Sequence, residues 1–158
     1  MKELTLLLWE DFQQLRQMDG IHWGDLPDHE GVRKLLKHLH RLVYFRGSQQ
    51  ELGQMIRQAY DKLMSQLEKV CPDEDTDRIC MEFLAKIPAV RAKIEKDLLA
   101  AFEGDPAATG YDEIVLAYPG LYAITVYRLA HELYKLNVPL IPRTMTELAH
   151  STTGIDIH

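Results

Sequence analysis

The 158-residue sequence predicts an all-α, helical bundle-like fold. Three observations lead there. Apolar residues recur at three- and four-residue steps through six segments, capping residues, prolines or glycines bracket those segments, and period-two alternation is confined to the last four positions. With 46% hydrophobic and 27% charged residues, the chain has enough apolar material for an ordinary globular core.

The first helix carries Leu4, Leu8, Phe12 and Leu15 on one face and is expected to stop at Asp19-Gly20. A Gly- and Pro-rich turn through Leu26-Pro27 follows. Asp28 then caps a second helix with an apolar face of Val32, Leu35, Leu36, Leu39, Leu42 and Val43, closed by Gly47-Ser48. Ser48 caps a third, with Leu52, Met55, Ile56, Ala59, Leu63 and Leu67 on its face, which runs to the break at Cys71-Pro72. The acidic run Asp73-Glu74-Asp75-Thr76-Asp77 opens the longest helix, where negative charge suits the positive end of the dipole. Ile79, Phe83, Ile87, Val90, Ile94, Leu98 and Phe102 line it. Pro88 removes one donor, so a kink or a stop and restart is expected, and the unbroken phase of the stripe favours the kink. Gly104 ends this helix and Asp105-Pro106 begins a turn. From Tyr111 onward Ile114, Val115, Leu116, Leu121, Ile124, Val126, Leu129, Leu133 and Leu136 leave little polar face, predicting a helix buried on most sides, with Pro119 in its first turn. A last helix spans about Pro139 to Thr152 with Ile141, Met145 and Leu148 inward, and Gly154 terminates it. Ile155-Asp156-Ile157-His158 alternates like a strand. The expected organisation is an N-terminal helical region (1–72), a second helical unit (73–154) and the start of a strand (155–158).

The net charge of −6 predicts none of the local Lys and Arg excess that nucleic acid or anionic membrane needs, which argues against both as partners. No apolar run approaches the roughly 20 residues of a bilayer span, and Met1-Lys2-Glu3-Leu4-Thr5 has no signal-peptide character, so a cytoplasmic location is expected. Cys71 and Cys80 are too few for a disulfide framework and read as reduced thiols. No further Cys or His lies between them, and no metal site is expected.

Three motif fragments fail on their spacing. Asp73, Asp75 and Asp77 match the start of a calcium loop, but Arg78 stands where a glycine turn is needed and Leu84 where a bidentate Glu is needed. His131-Glu132 begins like a zinc-protease helix, but Lys135 occupies the second His position, which leaves His131 as a hydrogen-bonded core residue. His38 and His40 are two apart on a helix and point to different sides, which makes them solvated face residues.

Asp105-Pro106-Ala107-Ala108 alone reads as a turn. Its weight comes from the series that follows: Tyr118-Pro119-Gly120, Tyr127-Arg128-Leu129-Ala130-His131-Glu132-Leu133-Tyr134, Pro139-Leu140-Ile141-Pro142-Arg143, and His150-Ser151-Thr152-Thr153-Gly154-Ile155-Asp156-Ile157-His158. This series resembles the serine O-acetyltransferases, over about a third of the chain.

The resemblance implies an N-terminal helical domain ahead of a left-handed parallel β-helix, with this chain stopping at the first strand of that β-helix. It implies acetyl transfer from acetyl-CoA, the co-substrate, to L-serine in cysteine biosynthesis, with no cofactor bound by these residues. It also implies a homo-oligomer, a trimer or a dimer of trimers, and contact with O-acetylserine sulfhydrylase through a C-terminal tail beyond this chain. Residue by residue, Asp156 matches the carboxylate that orients the catalytic imidazole, and its plain alternative is a solvent-facing strand Asp. Asp105 matches the carboxylate that holds the substrate ammonium. His158 matches the motif's own His and not the base, which belongs to a later Asp-His pair, so the 158 residues alone are expected to be inactive. The competing reading is a non-catalytic helical oligomerisation or interaction module.

Overall fold

A computed structural model describes residues 2–16 and 26–157. The Asp19-Gly20 stop, the side chains of Phe12 and Leu15, and His158 lie outside the described residues. Seven helices follow in order: α1 (Lys2–Arg16), α2 (His29–Val43), α3 (Gln49–Val70), α4 (Thr76–Gly104), α5 (Tyr111–Ala117), α6 (Pro119–Lys135) and α7 (Ile141–Thr153). In α1, Leu4, Leu6, Leu8 and Trp9 face solvent.

The caps form as the sequence predicts. The Asp28 carboxylate accepts the amides of Glu30 and Gly31, and Ser48 and Glu51 complete a reciprocal capping box. In α2 all six expected apolar residues are buried. In α3 only Ala59, Leu63 and Leu67 of the expected six are, and Ile56 is exposed. α4 continues through Pro88 as one helix, so no stop and restart occurs.

The segment after Tyr111 divides. Tyr118 is extended (φ −85°, ψ 111°) because the ring of Pro119 disfavours helical backbone before it, so α5 ends at Ala117 and α6 starts with Pro119 at its first position. α6 ends in a Schellman turn: Val138 N–H reaches Leu133 O, Asn137 N–H reaches Tyr134 O, and Asn137 takes the left-handed position (φ 58°). Leu140, also at φ 58°, centres a tight turn in which Ile141 N–H meets Pro139 O at 2.5 Å, so α7 begins at Ile141.

One core joins α2, α3, α4, α6 and α7, and α2 touches each of the other four. Phe83, Leu35, Leu63, Leu129 and Met145 are fully enclosed, each worth about 1.5–3 kcal/mol of burial. α4 and α6 run antiparallel: Asp97 meets Arg128, and one turn earlier on α4 Lys93 meets Glu132, one turn later on α6. Residues 155–157 form neither helix nor strand, since a lone strand has no neighbour for its backbone donors and acceptors.

Candidate functional site

The antiparallel register of α4 and α6 brings the end of α4 against the start of α6. There Asp105 opens a turn with Pro106 second and Ala108 N–H returning to Asp105 O at 3.1 Å. One carboxylate oxygen of Asp105 accepts Ala107 N–H at 2.9 Å and the other accepts the Tyr118 hydroxyl at 2.6 Å. The Tyr118 bond first, then the Ala107 amide, hold the Asp105 carboxyl below its ordinary range. Its partner moves oppositely: the same hydrogen bond, with burial and the charge of Asp105, pushes the Tyr118 phenol up to about 12. Asp105 is therefore an anion at neutral pH with lone pairs still available.

A second carboxylate sits nearby. Glu113 accepts both the hydroxyl (2.6 Å) and the amide (2.7 Å) of Thr109, which lower its pKa, while Asp105 acts on it in the opposite sense. Glu113 also adds to the rise at Tyr118. Asp105 and Glu113 thus bring two carboxylates within electrostatic reach of each other at this corner, a charge suited to a cation such as an ammonium group. The sequence pointed to Asp105 alone. The Tyr118 contact spans 13 residues and carries no local signature beyond Tyr118-Pro119.

Asp156 follows Gly154, which adopts the left-handed conformation (φ 71°) that ends α7, and Ile155 N–H is held by the Thr153 hydroxyl at 3.1 Å. Asp156 is exposed. Tyr122 in the first turn of α6 and Thr152 in the last turn of α7 line a common recess. Since Tyr118 directly precedes α6 and Asp156 closely follows α7, the two expected carboxylates lie at one end of the helical body.

Several sequence expectations need correction. His38 is buried, not solvated, and among the described residues its Nε2 has no hydrogen-bond partner; burial first, then Lys62 and Arg41, lower its pKa. His40 is half-buried, its ring 4.9 Å from that of Tyr44 and 5.2 Å from that of Tyr122. Both side chains flank the Leu39 ridge and are carried into the core seam with it. His131 is held by ring stacking with Tyr127 (5.6 Å) and Tyr134 (6.2 Å) rather than as a hydrogen-bonded core residue, and it lines a cavity of about 460 Å³ between α6 and α7. The local excess of Lys and Arg discounted from the overall charge does exist: between Glu30 and Glu51 the chain has five such residues and no acid. Among the described residues no group of three or more His, Cys, Asp or Glu side chains is placed to hold a metal. Cys71 and Cys80 are buried free thiols, and burial pushes Cys80 up to about 12.

Elsewhere the polar groups are structural. Arg128 grips Asp97 through two bonds of 2.6 and 2.7 Å. Burial would raise the Glu132 pKa, but Lys135 at 3.0 Å and Lys93 at 3.8 Å outweigh it.

Residues 47–126 match the N-terminal family of the serine acetyltransferases. Over 85 residues the chain is 44% identical to a plasmid-borne serine acetyltransferase of Synechococcus elongatus, covering 54% of this chain and 27% of that one. It is 43% identical over 65 residues to the serine acetyltransferase of Bacillus licheniformis, covering 41% and 30%. Among solved structures, serine acetyltransferase 1 of Entamoeba histolytica, crystallised with L-cysteine, superposes with a TM-score of 0.71 at 31% identity, over 78% of this chain and 48% of that one. The chain spans about a quarter of the length of the first of these relatives. No described helix is long and apolar enough to cross a membrane. The chain belongs to the serine acetyltransferase family and carries its N-terminal helical region.

Proposed function

We propose that the enzyme to which this helical region belongs is a serine O-acetyltransferase, converting L-serine and acetyl-CoA to O-acetyl-L-serine and CoA at the entry to cysteine biosynthesis. The observation that carries this reading is the Asp105 carboxylate, fixed by Tyr118 and Ala107 and kept anionic. Such a group pairs with the substrate ammonium and orients the serine hydroxyl. A hydroxyl is a poor nucleophile until a base takes its proton. In this reading the base is an imidazole in the part of the enzyme these residues do not cover, and Asp156 accepts its other N–H to fix the tautomer. The serine oxygen then attacks the thioester carbonyl, the tetrahedral intermediate expels the CoA thiolate, and the imidazolium returns the proton to the sulfur.

The same reading makes the enzyme a cytoplasmic homo-oligomer, a trimer or a dimer of trimers, with O-acetylserine sulfhydrylase as a further partner. Leu116, 86% exposed, and Tyr134, 68% exposed, support assembly, because large apolar side chains left in solvent favour burial against another surface. They equally support the second reading, a helical interaction module without chemistry.

The test follows free thiol on mixing L-serine and acetyl-CoA. The 158-residue chain alone is expected to give none, and the enzyme carrying the following β-helix to turn over. In that enzyme Asp156→Asn should lower kcat by about 100-fold or more, the order seen when a general base is impaired. Turnover by the 158 residues alone, or an Asp156→Asn enzyme with unchanged kcat, would contradict the assignment.

A further inference from the structure

The basic stretch of α2 is the feature that the proposed reaction does not use. Between Glu30 and Glu51 stand Arg33, Lys34, Lys37, Arg41 and Arg46, in a chain whose net charge is −6. Arg33, Lys37 and Arg41 are spaced by four, so they share one face of the helix, and like charges at that spacing repel. Other helical arginines escape this: Arg78, Arg91 and Arg143 each meet a Glu four residues on. Arg33 has an exposed contact with Glu30 at 3.5 Å, and among the described residues neither Lys37 nor Arg41 has a carboxylate within ion-pair distance.

These three cations border a recess of about 340 Å³ between α2, the first turn of α6 and the last turns of α7. Leu36 and Leu148 form its apolar lining, and the rings of His40 and Tyr122, 5.2 Å apart, form a wall. The charge of Arg33 reaches that wall, since it opposes the rise that burial imposes on the Tyr122 phenol. α6 turns the positive end of its dipole toward the recess and α7 the negative end of its own, so the helix ends offset each other and the side-chain cations decide the sign.

We propose that this recess binds a phosphate-bearing ligand with a planar body, of the nucleotide class, its phosphates held by Arg33, Lys37 and Arg41 and its body lying against one of the two tilted rings of Tyr122 and His40. Neither Asp105 nor Asp156 lines this recess, and the proposal does not rest on the acetyl-transfer reading. Lys37 and Arg41, with Arg33 held only by its exposed contact to Glu30, supply the anion contacts, and the rings supply the stacking that inorganic phosphate cannot use.

Calorimetric titration of the full 158-residue chain with pyrophosphate, ADP and adenosine tests this. ADP should bind, pyrophosphate should bind more weakly, and adenosine should not bind measurably. Lys37→Gln/Arg41→Gln should weaken ADP by about tenfold or more, the equivalent of losing a charge-assisted hydrogen bond. Arg57→Gln, which removes an exposed cation outside the recess, should leave it unchanged. Far-UV circular dichroism checks that the double variant folds, and the single variant Lys37→Gln carries the same test if it does not. Absence of ADP binding, equal weakening by Arg57→Gln, or tighter binding of a poly-glutamate peptide than of ADP would overturn the proposal; pyrophosphate binding as tightly as ADP would overturn the stacking wall.

Discussion

The α2–α3 hairpin and the corner joining α4 to α6 fasten their helix ends differently, although one long-range bond, from Asp28 N–H to Gln66, also ties the hairpin together. In the hairpin, Asp28 caps amides two and three residues on, and Ser48 and Glu51 exchange bonds three residues apart. In the corner Asp105 reaches Tyr118 over 13 residues and Asp97 reaches Arg128 over 31. Local caps fix where a helix starts whatever it packs against. Contacts across the chain exist only once α4 and α6 are docked antiparallel, so the Asp105–Tyr118 bond is a product of tertiary structure. The difference separates groups that build elements from groups that build a site.

The largest expected effect shows that both regions hang on one core. Phe83→Ala should cost about 3–5 kcal/mol, and chemical denaturation should show one transition; two transitions would mean that hairpin and corner are independent. Next, Arg128→Met leaves the Asp97 carboxylate partly buried without its fork and should cost about 2 kcal/mol, measured by the same denaturation. Ser48→Ala removes only a local cap and should cost about 1 kcal/mol, with the Asp105–Tyr118 contact intact by NMR.

Tyr118→Phe is expected to act through pH. The Asp105 carboxyl is depressed in the folded state, so its contribution is present above its unfolded pKa of about 4 and is lost as pH falls through the folded value. The Tyr118 phenol is raised, so its contribution is full below 10 and disappears between 10 and about 12. Stability profiles of Tyr118→Phe should lose part of the alkaline step, the rest staying with Tyr60, whose phenol Asp77 also pushes up to about 12, and part of the acid step. A profile identical to that of the parent would break the corner.

Legibility in the sequence follows the same division. The α2 face, the Ser48 cap and the Gly154 stop were readable because period and cap chemistry are local. The split at Tyr118 was not read, although the rule for residues before proline predicts it. Nor was the left-handed Asn137 that ends α6. Gln66 shows the limit best. It lies beside the apolar stripe of α3 as an ordinary polar residue, yet it is buried, with its side-chain oxygen accepting Asp28 N–H across 38 residues. Its amide packs against Gly31, where a Cβ would come within 2.5 Å. His38 and His40 failed similarly, since a spacing of two on a helix says nothing about which neighbour will cover each side. At the site, motif resemblance supplied Asp105 and Asp156, while Tyr118 and Glu113 emerged only from packing.

The central claim is that Asp105 is held as an anion to receive the substrate ammonium. Steady-state kinetics of the Asp105→Asn enzyme test it most directly. KM for L-serine should rise by about 10- to 100-fold, the cost of a lost charge-assisted bond, with KM for acetyl-CoA unchanged. An unaltered KM for L-serine, or equal rises for both substrates, would contradict it.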